Sequence, residues 1–392
     1  MFSRAKCLTA FLTLPLFALA NEGGWTAGLD LTLEGSAGIS GAARHGQSLH
    51  NMALGYAEWT SAEKSEGLHG HLYLSALSLL GRGPTERYLG DFLAASNTEG
   101  FESIRLYSWW FETGRADWSL RAGALLADEE FGGTEGGGNF LNSAFGWPAY
   151  ISANTLNTGP AFFVAAPGIR FERTWGGTAA WRVGLYDGDA FDSPAGDPVI
   201  TRHGLHYRLG GEQGWFIMTE ACFAPGAGRT RLKAGAWLHT ATFADLRDAT
   251  RGHGSNYGAY AIAERTLAGT TGEAGSLEFF VRAGFSPADR NAIGRAFDTG
   301  LAWTGPIPGR PADVVALGLA HARFGAPFAA AAQLADPAAP APDFEQVIEA
   351  SYTFTLSDHV NVQPDLQYIR HPGGSTAQRD ALVFLLRLNV SY

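Results

Sequence analysis

The C-terminal end of the chain constrains its fold most tightly. From Asp380 to Tyr392, Leu382, Phe384, Leu386, Leu388, Val390 and Tyr392 fall on one parity, while Ala381, Val383, Leu385, Arg387, Asn389 and Ser391 fall on the other. A strand turns successive side chains to opposite faces. One face here stays apolar and ends on an aromatic residue, and the other turns polar toward the terminus. The preceding segment alternates more cleanly, with Val360, Val362, Pro364, Leu366 and Tyr368 set against Asn361, Gln363, Asp365 and Gln367. Amides and a carboxylate on one face suit a water-filled lumen, and the apolar face suits lipid. Proline inside a strand marks an edge or a bulge, so a bulge is expected at Pro364.

The same pattern recurs upstream. Trp118, Leu120, Ala122 and Ala124 oppose Ser119, Arg121 and Gly123, and Leu232, Ala234, Ala236 and Leu238 oppose Arg231, Lys233, Gly235, Trp237 and His239. A soluble sandwich with so many charged inner faces would leave too little core for this length. Turn signals divide the chain into about sixteen strands, an even number as bacterial barrels require. They begin near Trp25, Leu49, Leu68, Phe101, Asp117, Gly168, Ala180, Trp215, Thr230, Asn256, Ser276, Ile293, Asp313, Phe344, Val360 and Ala381, with Leu205–Leu209 read as loop. The fold class expected is therefore all-β, a transmembrane antiparallel barrel. The 51 glycines among 392 residues and the 12 % aromatic content fit short strands and tight turns. A net charge of −10 argues against nucleic acid as a partner.

The N-terminus reads as an export signal. Arg4 and Lys6 precede an apolar run from Leu8 to Phe17, and Ala18-Leu19-Ala20 supplies the small residues of a cleavage site. Residues 1–20 are thus expected to be a signal peptide, and 21–392 a single outer-membrane barrel domain. Cys7 would leave with that peptide, so Cys222 stands alone and no disulfide framework is possible.

Two connections are longer than the rest. Gly81–Gly100 holds Pro84–Leu93, a candidate short helix, and Asp128–Pro167 holds Gly136-Gly137-Gly138 followed by Asn139, Phe140, Asn142, Phe145 and Trp147. Long loops in compact barrels are usually functional, and these are expected to fold inward and constrict the lumen. Ala326–Pro342, rich in Ala and Pro, reads as a mobile or surface loop. By parity Arg105 and Tyr107 point inward, opposite Ile104, Leu106 and Trp110; Arg121, Arg170, Glu172 and Arg182 should line the same wall. Asp128, Glu129 and Glu130 then sit at the mouth of the constriction. Guanidinium groups donate to hydroxyls, carboxylates accept from them, and aromatic rings contact the apolar face of a pyranose. No catalytic, metal or cofactor site is expected: G-x-S-x-G does not occur, and the closest histidines, His69 with His71 and His203 with His206, lack Glu or Cys at ligand spacing.

Ordered blocks across nearly the whole mature chain resemble the carbohydrate-selective porins of the OprB type. They are Ser96-Asn97 with Arg105-Leu106-Tyr107 and Trp110; Leu120-Arg121-Ala122-Gly123 with Asp128-Glu129-Glu130-Phe131; Phe140 to Pro148; Ala166 to Arg170; Gly184 to Gly188; and Gln363 to Tyr368 with His371-Pro372-Gly373-Gly374. The resemblance implies a sixteen-stranded barrel, narrowed by inward loops, that passes mono- and oligosaccharides without energy input. It implies sugars, outer-membrane lipid and lipopolysaccharide, and the barrel assembly machinery as partners, with the chain as monomer or homotrimer. A general or organic-acid-permeable channel, a barrel enzyme such as a lipase, and a plugged adhesin remain the alternatives.

Overall fold

A computed structural model describes residues 23–62, 67–193, 196–225 and 229–392; the expected signal peptide lies outside them. Sixteen strands form the barrel: β1 (Gly24–Ser40), β2 (Gln47–Thr60), β3 (His69–Arg82), β4 (Ser103–Arg115), β5 (Trp118–Leu125), β6 (Ala166–Trp175), β7 (Ala179–Asp187) and β8 (Trp215–Phe223), followed by β9 (Thr230–His239), β10 (Asn256–Ala268), β11 (Leu277–Phe285), β12 (Ile293–Thr304), β13 (Val314–Phe324), β14 (Phe344–Ser357), β15 (Val360–Arg370) and β16 (Ala381–Ser391). Each start lies within two residues of the one read from the sequence. A two-residue ribbon, Phe243–Ala244 with Gly252–His253, stands apart from the barrel.

Every strand pairs antiparallel with its neighbour, and β1 closes on β16 from Asp30 opposite Ser391 to Ala37 opposite Phe384. Closure leaves no open edge, the condition for crossing lipid with strands. Among the described residues no helix is long and apolar enough to cross a membrane. The outer surface is apolar, with Leu31, Leu33, Leu232, Leu301, Leu317, Ile348 and Leu386 exposed along its middle. Exposed Trp25, Trp175, Phe223, Trp303 and Tyr392 ring one end, and Trp215, Tyr257, Phe285, Tyr368 and Phe384 ring the other. Such paired aromatic girdles mark the two membrane interfaces. The long connections all leave one rim, together with short ones after β1 and β11, and only shorter turns leave the other.

Four local expectations are corrected or narrowed. Trp110 points inward, because the β3–β4 register shifts between Leu74 and Ala76 and flips the parity beyond it. Serines hold that bulge: Ser108 N donates to Ser75 Oγ (3.1 Å), Ser75 Oγ to Ser108 O (3.0 Å), and Ser108 Oγ to Ala124 O (3.0 Å). Pro364 makes no bulge. Its register to β16 is unbroken, and the ladder to β14 passes from Ser351–Asp365 to Phe354–Val362, omitting the pairs beside the missing N–H. Ala326–Ala335 is a ten-residue helix rather than an irregular loop. Its alanine run has the highest helix propensity, and the proline sits in the first turn, where no amide donor is needed. The expected helix in Pro84–Leu93 is a single wide turn, Thr85–Leu89.

The apolar core lies inside the barrel, between the inner wall and the two long loops. Phe140, Leu141, Phe145, Tyr150 and Ile151 of the second loop are buried in one cluster with Phe280, Val347, Val383 and Leu385 of the wall. Each large side chain so buried contributes roughly 1.5–3 kcal/mol. Gly318 of β13 makes room for the rings: a Cβ there would lie 2.7 Å from both Phe140 and Phe145.

Candidate functional site

The inner wall is half coated and half open. From β8 round to β2 it carries ionisable and amide side chains whose partners are mostly main-chain groups of the loops. Glu345 accepts from the amides of Phe92 and Leu93 (2.7 Å each) in the first loop and of Gly373 (2.6 Å). Glu349 accepts from Leu141 N and Asn142 N, Glu220 from Gly132 N, and Glu264 from Glu135 N, all in the second loop. Arg282, 0 % exposed, donates to the carbonyls of Gly132 (2.6 Å), Ala144 and Gly146 (2.7 Å each) and pairs with Asp298 (2.9 Å). Lys233 donates to Gly133 O (2.7 Å), and Gln363 and Gln367 to Asn139 O and Ala95 O. The two loops also bond each other, Asn97 N to Leu141 O (2.6 Å) and Ser143 N to Ala94 O (2.9 Å). Gln363, Asp365 and Gln367, read as facing open water, are instead buried beneath this coat.

The wall from β2 to β7 remains partly uncovered. Tyr56 stacks toward Tyr73 at 6.1 Å and Tyr73 on Trp110 at 5.2 Å, and the Arg121 guanidinium lies 3.7 Å over the Trp110 ring. A ladder of alternating charge follows. Arg121 pairs with Glu112 (3.1 Å) and Glu130 (2.6 Å), Arg170 with Glu112 (2.7 Å) and Glu130 (3.1 Å), and Arg182 with Glu172. Arg182 also donates to Glu130 O at 3.0 Å. Glu130 and Arg170 are buried behind this surface, whereas Arg121, Glu112, Glu172 and Arg182 keep 13–22 % of their side chains exposed. Burial alone would raise the Glu130 carboxyl, but Arg121, Arg170 and Arg182 together hold it at about 2. Burial and Asp128 push Glu129 up to about 8 against the pull of Arg121.

The structure thus brings Arg121, Glu130, Arg170, Glu172 and Arg182 together and separates others from them. Arg105 is 2 % exposed and donates to the carbonyls of Phe163 (2.7 Å), Thr201 and Arg202, and Tyr107 is buried against Leu77 and Leu79. Asp128 accepts from Phe162 N (2.9 Å), inside its own loop. Phe140, Asn142 and Phe145 face the wall, while Asn139 and Trp147 keep partial exposure. Sequence reasoning missed Tyr56, Tyr73, Trp110 and Glu112. Tyr56 and Tyr73 show only a parity shared with Glu58 and His71, and the β2–β3 register is what aligns them. It also missed Asp245, His253 and Asp289, whose ligand-type atoms lie within 4.8 Å of one another on two loops. There His253 pairs with Asp245 (2.9 Å), and Arg290 occupies both oxygens of Asp289.

A closed barrel whose long loops fold inward beside a charged, aromatic strip has the geometry of a diffusion channel, and comparison with known proteins decides its kind. The family model for the carbohydrate-selective porins, OprB family, matches residues 20–392. The chain belongs to the OprB family. Among curated proteins, Porin B of Pseudomonas aeruginosa is 23 % identical over 220 residues, a match spanning 49 % of this chain and 48 % of that protein, about half its length. A high-pH structure of Pseudomonas putida OprB superposes with a TM-score of 0.79 at 18 % identity, covering 94 % of each chain. The outer-membrane channel DcaP of Acinetobacter baumannii gives 0.57 at 12 % identity, covering 95 % of this chain and all of that one. At such identities these structures share the fold. Family and fold point to a porin of the outer membrane, a channel rather than an enzyme.

Proposed function

We propose that the barrel is a passive diffusion channel for neutral mono- and oligosaccharides, with Tyr56 and Tyr73, backed by buried Trp110, and the charged ladder as the solute track. One observation carries the reading. Beside the stacked rings the ladder sets three guanidinium groups, Arg121, Arg170 and Arg182, against three carboxylates, Glu112, Glu130 and Glu172. A ring of one sign selects ions. A balanced ladder gives no net pull to an ion, yet its exposed members Arg121, Arg182, Glu112 and Glu172 offer donors and acceptors to hydroxyls, and the partly exposed rings of Tyr56 and Tyr73 offer apolar surface to a pyranose. Residues 1–20 act in this reading as a cleaved export signal, the remainder is folded into the outer membrane by the barrel assembly machinery, and the long loops face outward.

Liposome swelling with folded barrels tests this. Glucose and a disaccharide should enter faster than an organic acid or an amino acid of matching size, and sugar should reduce the ion current in planar bilayers. Equal rates for neutral and anionic solutes of one size would make the barrel a general channel and overturn the sugar reading.

A further inference from the structure

The connection between β7 and β8 completes the barrel wall in an unusual way. β5 pairs with β4 only from Trp109–Ala124 to Arg115–Trp118, so Ser103–Ser108 of β4 has no strand on that side. Residues 201–207 fill the notch. Leu106 N donates to His203 O (3.1 Å), His203 Nδ1 lies 3.0 Å from Ile104 O, and Gly204, with φ +66°, leaves no room for a Cβ against the Leu106 backbone. On the lumen side Arg105 clamps Thr201 O and Arg202 O; on the outer side Trp109 Nε1 donates to Tyr207 Oη at 3.1 Å.

Fixed in this way, the segment displays two kinds of group that water alone does not satisfy together. Val199, Ile200, Leu205 and Leu209 are 66, 54, 74 and 61 % exposed, continuous with exposed Ile104 and Trp109 of the lipid-facing belt. Arg202 and Arg208 alternate with them, are exposed, and have no side-chain partner among the described residues. Exposed apolar side chains interleaved with unpaired cations, level with the rim of the bilayer, match a membrane–water interface. There the aliphatic groups reach acyl chains and the guanidinium groups reach phosphates, for which Arg forms paired charge-assisted hydrogen bonds.

We propose that Val199–Leu209 is a binding site for the anionic glycolipid of the outer leaflet, with Arg202 and Arg208 on its phosphates and Val199, Ile200, Leu205 and Leu209 against its acyl chains. The site rests on the outer-membrane placement of the barrel and is independent of which solute passes through it. A second copy of the chain is the competing occupant. A two-fold contact between copies would bring these same arginines face to face, so the unpaired cations favour the anionic glycolipid.

The test titrates lipid A bearing two phosphates into the detergent-purified barrel, read by native mass spectrometry, with monophosphoryl lipid A and phosphatidylcholine as comparison arms. Arg202→Ala/Arg208→Ala should weaken diphosphoryl lipid A binding on the order of tenfold. Removing one phosphate should weaken wild-type binding but scarcely affect the double variant. Leu205→Ser/Leu209→Ser should weaken binding of all acylated lipids, whereas Arg247→Ala, on another loop, should change nothing. Heat-modifiable gel mobility and unchanged single-channel conductance establish that each variant is folded. Should the leucine variant not fold, the arginine variant, which removes no packing, decides. Wild-type lipid A binding by the double-arginine variant overturns the proposal. So does unchanged binding accompanied by conversion of an oligomer to monomers, which assigns the surface to a second copy.

Discussion

Replacing Arg282 with methionine should unseat the loop that narrows the lumen. The guanidinium is wholly buried and makes four hydrogen bonds, three to carbonyls of the second loop and one to Asp298. Methionine keeps much of the aliphatic stem and removes every donor. The three carbonyls then lie buried without their partner, and the Asp298 carboxylate loses its counter-charge. Breaking one side of a buried ion pair costs about 3–5 kcal/mol, and a lost hydrogen bond to a charged group about 1.5–3 kcal/mol. These terms overlap, so the lower figure, about 3 kcal/mol, already shifts the seated-to-released equilibrium by about two orders of magnitude. The barrel strands keep their ladders and should still form. Single-channel conductance in planar bilayers should therefore rise and become noisier, and protease should cut within Gly132–Gly146 where the wild-type chain resists. Folded Arg282→Met barrels with wild-type conductance and wild-type protease resistance would refute the assignment of Arg282 as the tether.

Other consequences can be checked on the same apparatus. Arg121→Ala removes the cation from Trp110, Glu112 and Glu130 and leaves the ladder one charge more negative; reversal potentials should shift toward cation selectivity, and sugar block of the current should weaken severalfold. Gly318→Val places a side chain where Phe140 and Phe145 sit and should cost about 1–3 kcal/mol by overpacking, seen as a lower unfolding temperature on heat-modifiable gels. The pH behaviour should divide between neighbouring residues. Glu130, held at about 2, contributes stability that is complete above its unfolded value of 4.5 and is lost only as pH falls through about 2, so the ladder should survive at pH 4. Glu129, raised to about 8, is neutral at pH 6 and ionises as pH rises through 8; cation selectivity should increase from pH 7 to 9, and Glu129→Gln should remove that increase.

The barrel was legible because a two-residue period survives any strand twist, and lipid demands an apolar outer face at every turn. Parity fails where the chain gains a residue: the bulge at Ser108 carries no sequence mark, so alternation alone puts Trp110 on the wrong face. The inner face posed a different difficulty. Alternation turns Gln363, Asp365 and Gln367 inward, as the fold has them, yet a polar side chain that meets water and one that meets a loop backbone look identical in sequence. Arg105 and Arg170 likewise share residue type and parity, and only the fold shows one gripping loop carbonyls and the other belonging to the charged ladder. The proximity of Asp245, His253 and Asp289 depends on how two separate loops meet at the rim, which no local pattern encodes.

The wall grips its loops chiefly by main-chain atoms: Glu345, Glu349, Glu220 and Glu264 take amides, and Arg282 and Lys233 take carbonyls. Every residue but proline offers both of these groups, so outside the buried cluster of Phe140, Leu141, Phe145, Tyr150 and Ile151 the attachment is nearly blind to which side chains the loop carries. Residues facing the solute can therefore be exchanged in sequence while the loop stays seated, much as a fitting can be changed without altering its mount. An OprB-family barrel built this way should accept new chemistry on the lumen side of its loop, at partly exposed positions such as Asn139 and Trp147, while the ladder carried by the strands stays as it is.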